Sequence, residues 1–408
     1  MRLLHVSHQY WPAVGGAERY ITDLSEVMAS RRHAVSVYTS RSVDYRSWRN
    51  ELPPHTVRSG VEVRRFFSVP RKALVWRLLS FGTYHYLRTR LPCFEPLIFL
   101  GNGPVCPALA GAILRSARQF DLVHINNLHY SHAPVAYAAA RLAGLPVVIT
   151  PHIHCNQPET HDVGYMRRIL GGCDAVLAVT RAENDYLRDR GLGEIVTGGN
   201  GLRLEQFPPL DPVASRIRLG IPVSAFVVLF LGRKEEYKGL GLCLEAFRVL
   251  RKARPDIVLL AVGPETEFSK QLWSEHGDLE GLVVRGTVSN DERLAALAAC
   301  DVLALPSTGE AFGIVYLEAW AYRKPVVGAR IPSVCSVVED GQDGFLVQPQ
   351  LAPVIDALSR LHGNLQLGQA MGQRGREKLE RRYTVGRIAD IFEGTCARVL
   401  RHHNMNHH

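Results

Sequence analysis

Several features that mark other protein classes are missing from this chain of 408 residues. No apolar run reaches the roughly 18 residues of a membrane-spanning helix, so the sequence predicts no transmembrane segment. The eight cysteines include no C-x-x-C pair, and several lie inside apolar runs. We therefore expect free, mostly buried thiols in a reducing compartment, and neither a zinc site nor a disulfide framework. Internal repeats and low-complexity tracts are also missing, which argues against fibrous and disordered classes.

The remaining composition is that of an ordinary globular protein, with 46% hydrophobic residues and a length that suits two domains. The formal net charge of +9 favours anionic partners, among them nucleotides, nucleic acid, acidic glycans and membrane surfaces, without choosing between them. The first residues, MRLLHVSHQYWP, have a short apolar part that leads into a glycine turn. They predict a first strand and not a signal peptide, and therefore a cytoplasmic protein.

Short β-branched runs alternate with longer helical patterns along the chain. Near-continuous apolar strands between helices are typical of parallel sheets that are covered on both faces. The strands are expected at 3–6, 34–39, 61–66, 121–125, 146–150 and 175–179, and then at 226–232, 257–263, 282–286, 301–306, 325–329 and 344–347. The pattern predicts the α/β class, with two doubly wound, Rossmann-like domains that face a cleft.

A proline-rich stretch, QFPPLDPVAS at 206–215, separates the two strand series and suggests a domain boundary. We place a first domain at 1–205 and a second domain at 206–383. The last segment, 384–408, is expected to form a helix that packs back on the first domain, followed by a frayed tail. Ligands of open α/β sheets bind beyond the carboxyl ends of the strands, so the residues that follow each strand are the site candidates.

Two glutamates follow the strand at 301–306. Glu310 lies in the turn, and Glu318 lies eight residues later inside a helix that we expect to begin near Phe312. Free amides at the start of that helix would face an anion. These are the backbone amides of Phe312, Gly313 and Ile314. Such a site suits a nucleoside diphosphate sugar, whereas the alternative is a pair of solvated glutamates on a surface helix.

A loop with two cations follows the strand at 226–232. Arg233 and Lys238 suit a diphosphate, because arginine binds phosphate in a bidentate manner and lysine supplies a point charge. The alternative is a solvated loop in which the adjacent Glu235 and Glu236 pair with these cations. No D-x-D occurs in the chain, so the metal-binding pair of many single-domain sugar transferases is missing.

Two weaker signals lie in the first half. Gly15 and Gly16 stand between the first strand and an amphipathic helix, where backbone can approach an anion closely, although G-x-G-x-x-G is not formed. His152 and His154 follow a buried strand, with His161 nearby in sequence. An imidazole there can donate to a sugar hydroxyl or relay a proton. A loop histidine without a catalytic task, or one ligand of an incomplete metal site, are the alternatives.

The stretch 58–90 is rich in arginine and aromatic residues, with Glu62 as its only acid. It suits contact with an anionic membrane face or an anionic acceptor. A mobile, solubilising insertion explains the same composition equally well.

Taken together, these motifs resemble those of the family 4 glycosyltransferases, which have the two-domain GT-B fold. The strongest part is E-x7-E, EAFGIVYLE at 310–318. The pattern G-R-x4-K-G at 232–239 is similar to the family's phosphate-binding loop. Further landmarks are the paired glycines, the Thr-Pro-His loop at 150–152 and NGLRLEQF at 200–207. The resemblance covers essentially the whole chain and implies a hexosyltransferase that retains anomeric configuration and needs neither a metal nor another cofactor.

The resemblance also implies roles for residues of the second domain, which would bind the nucleotide sugar. Glu318 would bind the ribose hydroxyls, and Glu310 would contact the donor sugar near the reacting carbon. Arg233 and Lys238 would hold the diphosphate. The chain departs from the family pattern at 332–336, where Pro-Ser-Val-Cys-Ser replaces the frequent G-G-x-P-E, and at Asn200–Arg203, where N-G-L-R replaces N-G-V-D.

The first domain would be the acceptor side. There the resemblance implies that Gly16 lets backbone approach the donor phosphates and that His152 touches the transferred sugar. The expected partners are a nucleotide-sugar donor and a glycan or lipid-linked acceptor, and not nucleic acid. The product would be a surface polysaccharide or glycolipid, with peripheral contact at the inner membrane face through 58–90. The alternatives are a nucleotide-sugar epimerase or a phosphorylase on the same architecture, or a non-catalytic basic protein that binds anions.

Overall fold

The structure is a computed structural model, and it describes residues 1–13, 15–155, 161–192, 194–276 and 279–405. Contacts divide the chain into two units: unit 1 is Met1–Gly201 with Val385–His408, and unit 2 is Leu202–Thr384. Each unit carries a parallel sheet with helices, so the α/β class and the doubly wound architecture predicted from the sequence are confirmed. All eight cysteines lie in the described residues and are free thiols.

Unit 1 is built on one twisted sheet. Its strands are β1 Arg2–Ser7, β2 Ala34–Ser40, β3 His55–Arg58, β4 Val61–Phe66, β5 Leu122–Asn126, β6 Val147–Thr150, β7 Ala175–Ala178 and β8 Ile195–Thr197. Its helices are α1 Gly16–Ser30, α2 Ala73–Thr89, α3 Glu95–Asn102, α4 Leu109–Ser116, α5 His132–Leu142, α6 Gly164–Gly172, α7 Arg181–Arg188 and α16 Val385–Met405. The strand order is β3-β4-β2-β1-β5-β6-β7-β8, with β3 antiparallel to β4 and the other pairs parallel.

Two apolar layers sandwich this sheet. On one face, α1 contributes Ile21 and Leu24, and α16 contributes Phe392 and Cys396. On the other face, Ile113 and other residues of α4 and α5 pack against the strands. Helix α16 therefore completes the core of unit 1. It continues to Met405, five residues into the tail that we expected to fray, and residues 406–408 lie outside the described part of the chain.

Unit 2 has a second parallel sheet. Its strands are β9 Phe226–Leu231, β10 Ile257–Val262, β11 Leu282–Arg285, β12 Val302–Leu305, β13 Val326–Ala329 and β14 Gly344–Val347, in the order β11-β10-β9-β12-β13-β14. Its helices are α8 Pro212–Leu219, α9 Leu240–Arg251, α10 Glu267–His276, α11 Asn290–Ala299, α12 Ile314–Ala321, α13 Pro332–Cys335, α14 Leu351–Gly363 and α15 Leu365–Arg382. Every side chain of β9 is buried, as a central strand covered on both faces requires.

In each sheet the parallel strands reverse their order once. In unit 1 the chain moves outward from β1 in one direction and from β5 in the other, and β1 pairs with β5. In unit 2 the same reversal falls between β9 and β12. Parallel α/β sheets bind ligands outside the carboxyl ends of the strands at such a switch point. The topology therefore directs attention to the loops that follow β1, β5, β9 and β12.

Candidate active site

In unit 2 the two loops at the switch point are joined to each other. The Tyr237 carbonyl oxygen accepts a hydrogen bond from the Thr308 amide at 2.8 Å and from Ser307 Oγ at 3.1 Å. Gly239, with φ of 81°, passes so close to the second loop that a Cβ atom would lie 2.6 Å from the Pro306 carbonyl oxygen. A glycine is needed there, both for the left-handed backbone and for the close approach. The loop of cations is thereby held against the loop of Glu310.

Lys238 and Glu310 form an ion pair across these two loops. Lys238 Nζ lies 2.5 Å from Glu310 Oε1, and both side chains are largely buried. The alternative in which Lys238 pairs with its sequence neighbours Glu235 and Glu236 is therefore wrong for this lysine. Arg233, in contrast, is exposed, and its guanidinium donates to Tyr237 Oη at 3.3 Å. A paired lysine and an exposed arginine thus lie on one loop beside the switch point.

Helix α12 begins at Ile314, two residues later than the sequence suggested. Gly313 precedes it in the left-handed conformation, and a Cβ atom there would lie 2.4 Å from the Tyr316 ring. Tyr316 anchors the turn, because its hydroxyl donates to the Leu305 carbonyl oxygen at 2.9 Å. Within the described residues, the backbone amides of Phe312, Gly313 and Ile314 donate to no protein acceptor. The predicted anion site at this turn therefore keeps its free donors, although the Phe312 side chain is buried against Tyr383.

Glu318 lies on α12 and is buried, with 6% of its surface exposed. Its Oε1 lies 2.8 Å from Arg293 Nη1 on α11, so it is not a solvated surface glutamate. Nothing in the sequence points to Arg293, because a single arginine on an amphipathic helix carries no local signal for a partner 25 positions away in the chain. The helix itself is well specified, since Ser289 and Glu292 form a capping box at its start.

Two further polar side chains support the unit 2 loops. Ser333 Oγ on α13 donates to the Glu310 carbonyl oxygen at 2.6 Å, which fixes the backbone of the candidate catalytic glutamate. This contact lies in the segment that departs from the family pattern. Lys234, between the two candidate cations, is fully buried and bonds the Glu265 carboxylate and the Arg285 carbonyl oxygen. Lys234 is consequently a structural lysine that holds the loops after β9, β10 and β11 together.

At the unit 1 switch point, the start of α1 already holds a carboxylate. A Cβ atom at Gly15 would lie 2.0 Å from Glu18 Oε2, so this glutamate folds back over the helix start. Its other oxygen, Oε1, lies 2.7 Å from His8 Nε2. Burial by itself would raise the pKa of Glu18, but the hydrogen bond and charge of His8 more than offset this effect and leave the pKa below its usual value. Gly16 has open space on its Cβ side.

His152 follows β6 with a left-handed backbone, at φ of 55°, and is buried. Asn126, from the end of β5, orients it. The Asn126 side-chain amide donates to the Ala17 carbonyl oxygen at 3.2 Å, which leaves Asn126 Oδ1 to accept from His152 Nε2 at 2.9 Å. Burial lowers the pKa of His152 to about 3, although the Glu18 charge opposes this shift. His152 is therefore a neutral imidazole with its proton on Nε2.

Glu183 supports the same loop. Its carboxylate accepts the Ile153 amide and the Val179 amide, each at 2.6 Å, and so ties the end of β6 to the end of β7. His154 and His161 stack with ring centroids 6.2 Å apart. Among the described residues, no group of three or more histidine, cysteine, aspartate or glutamate side chains is arranged to hold a metal ion. The histidines thus form a hydrogen-bonded polar layer at the carboxyl edge of the unit 1 sheet.

The sequence matches two family descriptions that together span most of the chain. Residues 14–206 match "Glycosyltransferase Family 4", and residues 214–378 match "Glycosyl transferases group 1". The chain belongs to glycosyltransferase family 4. It is therefore a glycosyltransferase, which sets aside the epimerase alternative and the non-catalytic anion-binding alternative.

Relatives of known activity support the same family. This glycosyltransferase is 28% identical to D-inositol 3-phosphate glycosyltransferase from Streptomyces avermitilis over 378 residues, which cover 85% of this chain and 76% of the relative. It is 29% identical to phosphatidyl-myo-inositol mannosyltransferase from Mycobacterium leprae over 392 residues, which cover 93% and 92% of the two chains.

Solved structures share the fold. Sucrose-phosphate synthase from Thermosynechococcus elongatus superposes with a TM-score of 0.75 at 20% identity, covering 98% of this chain and 99% of that one. HepE from Anabaena, in complex with UDP and glucose, gives 0.72 at 19% identity, covering 97% and 99%. These likenesses confirm the GT-B fold of the glycosyltransferase. In its described residues, no helix is both long enough and apolar enough to cross a bilayer.

Proposed function

We propose that this glycosyltransferase moves a hexose from a nucleoside diphosphate sugar to a hydroxyl of a glycan or lipid-linked acceptor, with retention of anomeric configuration. In this proposal unit 2 binds the donor and unit 1 faces the acceptor, in the synthesis of a surface polysaccharide or glycolipid. The observation that carries the proposal is the Lys238–Glu310 pair at the unit 2 switch point, 2.5 Å apart and next to free backbone amides.

The pair suggests how a donor is received. Two partly buried charges that neutralise each other avoid the cost of an unpaired charge in a dry site. A diphosphate would compete for Lys238, with the exposed Arg233 and the free amides of the α12 turn as further donors. Glu310 would then be released toward the hydroxyls of the donor sugar. Glu318, held by Arg293, would accept the ribose hydroxyls. HepE, which shares the fold, has been solved with UDP and with UDP-glucose.

The proposed reaction needs little general acid or base catalysis from side chains. Negative charge develops on the leaving diphosphate, and fixed cations and amides stabilise it without reorganisation. The leaving phosphate helps to remove the proton of the acceptor hydroxyl, so attack comes from the face that the diphosphate leaves. His152, as a neutral imidazole, would contact the transferred sugar through hydrogen bonds and not as a charge. We propose that Arg233 and Lys238 take the place of a metal ion, so that chelators leave transfer unchanged.

We further propose that the acceptor is met at an anionic membrane face, through the surface of α2 and α3. From Val63 to Phe120 the only acidic residue is Glu95, and it is paired with Arg168 at 2.6 Å. Exposed apolar side chains, among them Leu74 and Phe81, accompany the arginines of α2. Apolar side chains flanked by cations suit the interface of an anionic bilayer. The enzyme would then act as a cytoplasmic protein in peripheral contact with the inner membrane face.

Donor binding and transfer test the proposal together. We expect UDP, GDP or ADP, or one of their hexose derivatives, to raise the melting temperature, because a ligand at about 100 times its Kd stabilises the fold by about 2.7 kcal/mol. Lys238→Ala should abolish this shift, and Glu310→Ala should remove most transfer. Each single variant leaves its partner unpaired and is expected to lose stability, whereas the double variant Lys238→Met with Glu310→Gln should recover it.

Glu236→Ala is the matched control, because Glu236 is an exposed acid on the same loop. It should keep both the thermal shift and the transfer rate. NMR of the product gives the anomeric configuration, and transfer in the presence of EDTA tests the role of metal. Wild-type transfer by Glu310→Ala, or an inverted product, would refute the assignment.

A further inference from the structure

A guanidinium surrounded by aromatic rings lies at the carboxyl edge of the unit 1 sheet. The loops after β1, β2, β4 and β5, together with α2, contribute the five residues of this Arg71 cluster: His8, Trp48, Arg71, Trp76 and Tyr130. The cluster is separate from the proposed donor loops of unit 2, although His8 also contacts Glu18 at the start of α1. Because it stands beyond the carboxyl ends of four strands, it occupies the region where α/β sheets bind ligands.

Arg71 has aromatic neighbours but no carboxylate partner. Its guanidinium carbon lies 4.2 Å from the centre of the Trp76 ring and 5.6 Å from that of Trp48. One nitrogen, Nη2, donates to the Asn102 carbonyl oxygen, and Nε is buried without an acceptor. No ion pair joins Arg71 to an acid within the described residues. Burial lowers the pKa of Arg71, against the weaker opposing influence of Tyr130, Asp44 and Tyr45.

Asp44, a carboxylate whose charge opposes the lowered pKa of Arg71, is committed to other donors. Asp44 accepts the Arg46 amide at 2.9 Å through Oδ1, and the Ser47 amide and hydroxyl through Oδ2. A cation that is partly buried without a counterion costs free energy, and proteins usually pair or ligate such groups. Because the partly buried Arg71 guanidinium has no carboxylate partner among the described residues, it indicates an anionic ligand.

The loops around Arg71 are fastened to each other. The Arg71 amide donates to the Ser47 carbonyl oxygen at 2.8 Å. The Asn50 side chain bonds both the amide and the carbonyl oxygen of Ser68, each at 2.8 Å. Asn102, whose carbonyl holds the guanidinium, is itself bonded to the His129 carbonyl oxygen at 2.9 Å. A guanidinium fixed in this way loses little further rotamer entropy when its remaining Nη donors bind a ligand.

A ring platform adjoins the cation. Tyr130 stacks on the buried His8 with ring centroids 3.9 Å apart. The Trp48 and Tyr130 rings form a T-shaped pair with centroids 5.6 Å apart. Tyr130 is half-buried, so part of this residue remains open to solvent. Fixed aromatic rings beside a fixed cation suit a ligand that carries both a ring with apolar C–H groups and an anionic substituent.

We infer that the Arg71 cluster binds the acceptor, and that the acceptor carries a phosphate group next to a hydroxylated ring. Arg71 takes the phosphate, and Tyr130 packs against the ring. The inference rests on the proposed function for its role in transfer, but the binding site itself does not depend on the donor. The same chemistry occurs in a soluble ring phosphate and in a phospholipid headgroup.

Calorimetric titration of the full chain without donor tests the site with two probes that differ only in a phosphate. We expect D-inositol 3-phosphate to bind at least about tenfold more tightly than myo-inositol, the gain of one charge-assisted contact. Arg71→Gln should remove this preference, and Arg71→Lys, which keeps the charge but loses the fork, should fall between. Arg77→Gln is the control, because it removes a cation from an exposed position of α2. It should bind the soluble probe as the wild type does.

Vesicles distinguish the source of the phosphate. In this second experiment, vesicles of phosphatidylcholine with phosphatidylinositol are compared with vesicles of phosphatidylcholine alone. Tighter binding of the phosphate-bearing probe, either in solution or in vesicles, supports the site. Should Arg71→Gln fail to fold, Trp76→Leu replaces it, because Trp76 is 41% exposed and its loss does not open the core. Without the Trp76 ring the Arg71 guanidinium is no longer held in place, so the preference for the phosphate probe should weaken. The inference is overturned if neither phosphate probe is preferred, or if Arg71→Gln and Arg77→Gln bind the soluble phosphate probe equally. A nucleotide thermal shift measured on the same proteins scores the donor site separately.

Discussion

At the residue scale, the charges of the candidate site are satisfied by each other. Lys238 pairs with Glu310, and Glu18 pairs with His8. Glu318 likewise has Arg293 as its partner. An unpaired buried charge costs several kcal/mol, so these internal partners stabilise the charged side chains of the proposed site in the free protein. When a ligand replaces an internal partner, the net binding free energy is the gain from the new contact minus the loss of the internal ion pair.

The two glycines before α1 give a residue-scale prediction. Gly16→Ala adds a methyl group into open space at a helical position, and should leave stability unchanged or raise it by up to about 1 kcal/mol. If donor phosphates approach this backbone, the same methyl group should raise the donor KM by about tenfold or more. Gly15→Ala instead meets the Glu18 carboxylate at 2.0 Å, and should lower the melting temperature because the His8 contact must shift.

Thermal unfolding and donor kinetics of the two variants separate these effects. Gly15→Ala is the comparison for stability, since it adds the same methyl group one residue earlier, where the Glu18 carboxylate lies. An unchanged donor KM in Gly16→Ala would contradict the role that the family resemblance implies for this glycine.

The residues that the sequence revealed and those it did not differ in a physical way. Glu310, Lys238 and Gly313 follow strand ends, and the strands are recognisable from apolar runs. Ser333 contacts the turn that carries Glu310, and Arg293 contacts helix α12. Nothing local in the sequence encodes a partner on another element. Contacts of that kind depend on the packed fold, which a single sequence shows only through its patterns.

At the element scale, the central strands were predictable because burial on both faces leaves continuous apolar runs. Each strand expected from the sequence is present, and β4 and β14 have the predicted bounds. The strands β3 and β8, which lie at the two edges of the unit 1 sheet, were not predicted from the sequence. Both are short, and β3, HTVR, has no fully buried side chain. Edge strands need neither length nor apolar character, so their sequence signal is weak.

Helix α13 gives the element-scale prediction, because it supports the turn that carries Glu310. Ser333→Ala removes a 2.6 Å hydrogen bond and leaves the buried Glu310 carbonyl oxygen without that donor. The expected cost is about 1–3 kcal/mol in the free energy of unfolding, with a several-fold lower kcat. Ser336→Ala on the same segment removes a contact to the Pro332 carbonyl oxygen and serves as the control, with an expected change within about 0.5 kcal/mol.

The comparison of kcat with stability shows whether α13 positions Glu310 or only stabilises unit 2. A purely structural role would lower the melting temperature of Ser333→Ala and leave kcat at moderate temperature equal to that of Ser336→Ala. A positioning role lowers kcat well below the unfolding transition.

At the scale of the whole molecule, the two units have their candidate residues at the same position in the sheet but differ in the side chains found there. Each places its candidate residues beside the reversal of strand order, between β1 and β5 in unit 1 and between β9 and β12 in unit 2. Unit 2 presents cations and free amides there, which suit the proposed diphosphate donor. Unit 1 presents buried histidines and glutamates. This contrast in ionisable groups has a consequence for stability against acid.

Buried histidines are held neutral throughout the core and edge of unit 1. Burial lowers the pKa to about 3 for His5, His132 and His152, and burial together with neighbouring histidines lowers it well below the usual value for His124 and His161. Below about pH 6.5 these side chains bind protons in the unfolded chain but not in the folded unit. The free energy of unfolding therefore falls, by up to about 1.4 kcal/mol per pH unit for each histidine, as the pH drops from about 6.5 toward 3.

Glu183 acts in the opposite direction. Burial raises the pKa of Glu183 to about 7, despite the hydrogen bonds that its carboxylate accepts from backbone amides. The folded chain therefore binds this proton at a higher pH than the unfolded chain does, which favours the folded state as the pH falls. One such group does not offset the histidines. In unit 2, Glu265 and Asp340 have pKa values below their usual range because their bonds and cation partners outweigh burial, so they weaken the fold only as the pH falls below about 4.5. Burial raises the pKa of Asp343, which carries no penalty in acid.

Unit 1 is therefore expected to lose its structure at a higher pH than unit 2. Hydrogen exchange between pH 7 and 4 measures this directly, because peptides of 1–201 and 385–405 should lose protection before those of 202–384. His132→Gln keeps a side-chain donor for the Asn126 carbonyl oxygen, now 2.9 Å from His132 Nε2, while removing one titrating group. It should move the unit 1 transition to lower pH, because one proton fewer is taken up on unfolding. Simultaneous loss of protection in both units, or earlier loss in unit 2, would show that the neutral histidines do not limit acid stability.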